Sequence, residues 1–309
     1  MQTATAPALP PPVAEPAAHR SFWAWARPAA GAGILAVLLW RLGSGPFLDG
    51  VRLVDGRAAA AAVGIGGLTT VCAAWRWSLV AGGLGLRLPL GAAVAACYRS
   101  VFLNATLPGG VVGDVHRAVR SGQDTGDVGR GVRAVVWERT AGQVVQLAVA
   151  VAVLFALPSP VRSAMPVVAA VAVTVVLGAL LLPRAGWVRS AWSDARAAVL
   201  APDTRGRIAL ASAVAVAGHV ALFLVAARAA GSAASLVSLV PLALLALLAM
   251  SVPMNVAGFG PREGVAAWAF GAAGLTAGQG VATGVAYGVL VLVASLPGAA
   301  VLLLRRTRG

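Results

Sequence analysis

Asn104-Ala-Thr-Leu-Pro-Gly-Gly-Val-Val-Gly-Asp-Val-His-Arg117 is the stretch whose reading decides the fold. It lies between apolar segments and joins the helix-breaking Pro108-Gly109-Gly110 to a polar and ionic cluster of Asn104, Asp114, His116 and Arg117. In hydrocarbon, interrupted backbone is tolerated only where protein or a watered cavity covers it. A charge at that depth is costly and needs a partner. A break and a set of ionisable groups in one place therefore predict a site. A second stretch has the same ingredients: Ser251-Val-Pro-Met-Asn-Val-Ala-Gly-Phe-Gly-Pro-Arg-Glu263. Together they predict two broken-helix elements facing one another across a helical bundle.

The rest of the chain fits that setting. Its 309 residues are 59% hydrophobic and only 11% charged, whereas a soluble domain carries about a quarter charged residues. The composition predicts an all-α, polytopic membrane protein. Formal net charge is +14, and all 24 cations are arginines. They gather at the ends of apolar segments, which points to topology and lipid-headgroup contact and away from nucleic acid. With no lysine, a P-loop ATPase and lysine Schiff-base chemistry are excluded. Cys72 and Cys97 fall inside apolar segments and read as small buried residues. The histidines are scattered and no nucleophile motif is present, so no metal, cofactor or catalytic residue is expected.

Residues 1–19 are Pro/Ala-rich and predict a disordered tail, with 20–309 forming one transmembrane domain. About six full spans are expected, over residues 29–42, 58–78, 131–157, 165–182, 208–230 and 281–304. Residues 90–120 and 236–275 are expected to enter the membrane, break and return. With both termini cytoplasmic, this layout puts sixteen of the 24 arginines inside and five outside, leaving Arg99, Arg139 and Arg262 at membrane depth. That asymmetry satisfies the positive-inside rule. It also gives the two broken elements opposite orientations, as an inverted repeat would.

Three constellations carry the candidate chemistry. Around the first break, Pro108, Gly109, Gly110 and Gly113 act as hinges, while Asn104 and Arg117 are candidate headgroup ligands and Asp114 a counter-ion or proton carrier. A helix starting near Val111 would turn free N–H groups toward an anion. Next comes Glu138-Arg139, followed by Gln143 and Gln146. Arg139, a candidate headgroup ligand, shares one helical face with Gln143 and Gln146, and Glu138, off that face, is a candidate counter-ion or proton-coupling group. The third constellation has Gly258 and Gly260 as hinges, Arg262 as a headgroup ligand and Glu263 as its counter-ion or a proton-coupling group. All of these arginines and carboxylates are expected around a single hydrated pocket. His116 could titrate near neutral pH, and His219 reads as a satisfied polar group within a span.

Leu107-Pro108-Gly109-Gly110 with Gly113-Asp114 and Arg117, then Glu138-Arg139, then Gly258-Phe259-Gly260-Pro261-Arg262-Glu263, in this order, resemble the flippase-like family. That family is the transmembrane region of lysylphosphatidylglycerol synthetases and its stand-alone relatives. Trp75-Arg76 ahead of a glycine-rich connector fits the same pattern. The resemblance implies an integral inner-membrane protein that moves or presents lipids. Bifunctional members carry a soluble aminoacyl-transfer domain after this region, and here the sequence stops at Gly309. The expectation is therefore a non-enzymatic, stand-alone member that does not itself synthesise lysylphosphatidylglycerol. Two roles remain open: translocating an anionic lipid with a phosphate headgroup, or presenting a lipid carrier to a separate glycosyltransferase or aminoacyltransferase.

Overall fold

A computed structural model of the chain describes residues 32–107, 110–164, 186–251 and 259–306. Their regular elements are helices. In chain order these are α1 (Ala32–Leu42), α2 (Gly45–Arg52), α3 (Gly56–Gly83), α4 (Leu90–Thr106), α5 (Val112–Asp124), α6 (Val128–Ala156), α7 (Gly186–Ala198), α8 (Pro202–Ala229), α9 (Leu236–Met250), α10 (Pro261–Ala272) and α11 (Ala277–Arg306).

Among the described residues, four helices are long and apolar enough to cross a membrane: α3, α6, α8 and most of α11. At 28, 29, 28 and 30 residues, each runs about 42–45 Å, more than the ~30 Å hydrocarbon core. Their outer faces expose Val63, Leu68, Val144, Leu147, Leu210 and Leu296. An apolar exterior of that kind suits lipid as the solvent. This is a multi-pass helical membrane protein. The described part of the expected first span is α1, which meets α2 at 104°. Gly43 and Ser44 separate them, and Pro46 restarts the helix. The span expected at 165–182, the tail at 1–19, Pro108, Gly109 and Gly258 lie outside the described residues.

The first interrupted segment turns back on itself. After α4 the chain reverses through residues 107–111, where Gly110 takes φ 63°, a left-handed conformation that favours glycine. Gly113 then lies so close to α4 that a Cβ there would stand 2.6 Å from the Ser100 Cα. The 13 residues of α5 cover only about 20 Å, too little to cross. Residues 252–258, between α9 and α10, lie outside the described residues; α10 opens after Gly260 at φ 128° and is only 12 residues long.

The element lengths repeat. Helices α3–α6 run 28, 17, 13 and 29 residues, and α8–α11 run 28, 15, 12 and 30. A short amphipathic helix precedes each set, α2 or α7. The corresponding helices α3 and α8 run antiparallel against each other, since Arg76 meets Ser212 while Thr69 meets Gly218. Two like units joined through antiparallel counterparts form the element pattern of an inverted repeat. No period is visible residue by residue, because packing constrains helix length and contact more tightly than residue identity.

Small residues let the units approach closely, as is common between membrane helices. Ala62 and Ala226 are fully buried at the α3–α8 seam. The main apolar cluster fills in around Phe223, Phe270 and Tyr287, with ring centroids 6.5 Å apart for Phe223–Phe270 and 5.8 Å for Phe223–Tyr287.

Candidate functional site

Three helices and the first broken element converge on one charge network. Arg76 sits in the last third of α3, buried at 7%. Its Nε donates to Glu138 Oε1 at 2.9 Å, its Nη2 donates to the same oxygen, and its Nη1 donates to Ser212 Oγ at 3.1 Å. Arg117, on α5, donates from Nη2 to Glu138 Oε2 at 2.6 Å and from Nε to Asp114 Oδ1 at 3.0 Å. Its guanidinium also lies 4.8 Å from the Trp77 ring centroid. Arg139 closes the network by donating from Nη2 to the Asp114 carboxylate at 2.7 Å.

Local sequence explains the placement. Asp114 stands in the first turn of α5, where the helix dipole favours a carboxylate. Arg117 lies three residues on, on the same helix face. Asn104, from the end of α4, accepts the Gly113 N–H at 2.7 Å and donates to Asp114 at 3.3 Å, while Ser100 donates to Asp114 at 2.9 Å. Asn104 therefore bridges the break and fixes the start of α5. Burial works to raise the Asp114 pKa, but Arg139 and Arg117 outweigh burial and hold it below the usual carboxylate range. Partial burial, then Arg99 and Arg120, push His116 below the ordinary imidazole value.

The network carries a net positive charge, since three guanidiniums face two carboxylates. Arg76, Arg117, Glu138 and Arg139 line a cavity of about 160 Å³, shared with Gln143, Gln146, Ser212 and His219. Both Glu138 oxygens are taken, by Arg76 and by Arg117. Glu138 is 1% exposed, whereas the Arg139 side chain is 47% exposed. Neighbouring helix positions thus take opposite parts, Glu138 as the buried anchor and Arg139 as the accessible cation. Glu138 lies off the helical face shared by Arg139, Gln143 and Gln146, yet it lines the cavity as a counter-ion to its arginines. It reaches the wall because Arg76 and Arg117 come to it from two other helices.

Arg262 and Glu263 form a second cluster, 2% and 0% exposed. Glu263 accepts the Arg262 guanidinium through Oε1 and the Gly260 N–H through Oε2 at 2.7 Å. Arg262 lies between Phe259 and Tyr287, 5.3 and 5.1 Å from their ring centroids. Tyr287 Oη in turn shares a 3.0 Å hydrogen bond with His219 Nδ1, and His219 lines the cavity. One pocket was expected to hold all of these groups. The geometry brings Asn104, Asp114, Arg117, Glu138 and Arg139 together and sets Arg262–Glu263 apart, behind Tyr287. An arginine and a glutamate adjacent in sequence neutralise each other at a helix start, and the aromatic rings then exclude water from the pair.

Sequence reasoning missed Arg76, Ser212 and Tyr287. The span expected over 58–78 puts Arg76 near a helix end, yet α3 continues to Gly83. The apolar Leu79-Val80-Ala81 after it was the available signal that Arg76 lies inside the helix.

No curated protein and no solved structure matches the chain. Residues 24–298, which include both broken elements, the network and the Arg262–Glu263 pair, match the family described as the lysylphosphatidylglycerol synthase TM region, and the chain belongs to that family.

Proposed function

We propose that the cavity receives the phosphate-bearing headgroup of an anionic lipid, and that the protein carries that headgroup across the cytoplasmic membrane. The observation that carries this reading is the unequal use of the three cavity arginines. Arg76 and Arg117 are committed to Glu138, while Arg139 is half-exposed on the cavity wall with Asp114 as its one hydrogen-bond partner among the described residues. A phosphate that docks there meets a planar fork with donors to spare. Gln143, Gln146 and Ser212 add further polar groups on the same wall.

Size and charge support the same reading. At about 160 Å³, the cavity is smaller than the ~300–1,000 Å³ pockets that enclose a drug-sized ligand. It suits a headgroup whose acyl chains stay in the bilayer. The surplus positive charge offsets part of the desolvation that a phosphate meets in hydrocarbon. Movement is rocking of one repeat unit against the other about the α3–α8 seam, with both termini on the cytoplasmic side. Asp114 and Glu138 hold the arginines in place.

Reconstitution tests the proposal. In liposomes, the purified chain is expected to move fluorescent phosphatidylglycerol between leaflets, and Arg139→Ala to slow that movement about tenfold or more. Equal rates for both proteins would overturn it. Headgroup binding without movement would instead mark a protein that presents the lipid to a separate enzyme.

A further inference from the structure

The two repeat units differ at the two ends of the α3–α8 seam, where symmetry would make them alike. Where α3 ends and α8 begins, α7 fills the seam. Ala198 of α7 is fully buried with Val80 and Ile208, and a Cβ on Gly83 would lie 2.7 Å from the Ala198 Cα. The counterpart of α7 in the first unit is α2, which leaves the matching seam at the other end of the bundle. It packs on α11, where a Cβ on Gly50 would lie 2.7 Å from the Ala282 carbonyl oxygen. Between the start of α3 and the end of α8 an open pocket of about 620 Å³ remains.

This pocket has two kinds of wall. Ala58, Ala61, Leu224 and Val225 make it apolar along the helices, and Arg57 and Arg228 stand at its rim. Arg228 donates to the Ser232 carbonyl at 2.6 Å, which fixes its stem at the end of α8. Asp55 also lines the pocket, with its carboxylate accepting the Ala58 N–H at 2.7 Å as the cap of α3. Two cations against one committed carboxylate leave the rim positive.

We infer that this pocket holds an anionic phospholipid of the leaflet at that end of the bundle. The phosphate sits between Arg57 and Arg228, and an acyl chain lies along Ala61, Leu224 and Val225. Position on the span supports a lipid: Arg57 and Arg76 are 19 residues apart on α3, about 28 Å of helix, close to the thickness of the hydrocarbon core. Arg57 is the second residue of a 28-residue helix longer than that core and thus stands at headgroup level. A zwitterionic headgroup would bring its own cation against the two arginines, so the pocket favours net negative lipids. The inference needs only that the bundle lie in a bilayer. It does not depend on transport through the central cavity.

The test is a titration of the purified full chain in detergent with dioctanoyl phosphatidylglycerol, counting bound lipid by native mass spectrometry. The Arg57→Gln/Arg228→Gln variant is expected to lose about tenfold or more in affinity for one equivalent. Ala61→Trp, which fills the apolar wall and leaves both charges, should lose the same equivalent, while Arg139→Ala should keep it. Dioctanoyl phosphatidylcholine should bind about tenfold more weakly, and glycerol phosphate, which lacks the chains, should not compete. Unchanged affinity in Arg57→Gln/Arg228→Gln, equal binding of the two lipids, or loss of all phosphatidylglycerol binding in Arg139→Ala alone would each overturn the inference. That last result would still support headgroup binding in the central cavity. Melting temperatures near that of the parent chain confirm that the variants are folded.

Discussion

Arg117 and Glu138 meet at 2.6 Å with side chains 3% and 1% exposed. That contact ties the returning half of the first broken element to a membrane span. Glu138 also receives Arg76 from a second span, so one carboxylate holds two cations from separate helices. Removing a single partner from a buried ion pair leaves an uncompensated charge, which costs more than the pair contributes.

Glu138→Gln keeps the shape and removes the charge. It is expected to destabilise the bundle by about 3–5 kcal/mol, read as a shift in the denaturant midpoint of the purified protein in micelles. A shift under about 1 kcal/mol would mean that Glu138 does not organise the network.

Arg139 should behave in the opposite way. Its side chain is 47% exposed, and exposed pairs contribute at most about 1 kcal/mol, so Arg139→Ala should unfold close to the parent midpoint while headgroup transfer falls. Arg139→Lys should restore transfer only in part, because an ammonium lacks the bidentate fork. Full recovery with lysine would reduce the role of Arg139 to a point charge.

Two glycines should respond with opposite signs. At Gly113 a Cβ runs into the Ser100 backbone, so Gly113→Ala should cost about 1–3 kcal/mol through overpacking. At Gly64, inside α3, nothing lies within 4 Å of an added Cβ. Gly64→Ala should therefore stabilise by about 0.5–1 kcal/mol. Thermal unfolding of the two variants side by side checks the packing of α4 on α5.

Tyr287→Phe removes the hydrogen bond to His219 and keeps the ring against Arg262. The expected cost is about 1 kcal/mol. A double-mutant cycle with His219→Ala should return a coupling of the same order. Near-zero coupling would separate the Arg262–Glu263 cluster from the cavity energetically as well as sterically.

Asp114 bears on pH. Its folded pKa is lowered, so the stability it contributes is present above the ordinary value of 3.8 and is lost as pH falls through the lowered folded value. Between about pH 5 and 8, Asp114→Asn should therefore change the midpoint by a constant amount, and the gap should close only in strong acid. A gap that narrows on going from pH 7 to 5 would mean that Asp114 is not held by its arginines.

Much of this architecture follows from composition and interruption alone. A chain that is 59% hydrophobic and 11% charged cannot fold as an ordinary soluble domain, and Gly110 and Gly260 mark where its apolar helices must stop, because the φ they adopt excludes most other residues. The joining of Asn104, Asp114 and Arg117 was legible too, since a hairpin brings sequence neighbours together. Tertiary structure alone decided which charges meet over longer distances. Arg76 reaches Glu138 across 62 positions, and Arg262 finds its partner next door and withdraws from the cavity. Local sequence records the cost of burying each charge, but the partner that offsets that cost is set by how the helices pack, and packing depends on small apolar residues that any span of this composition would share.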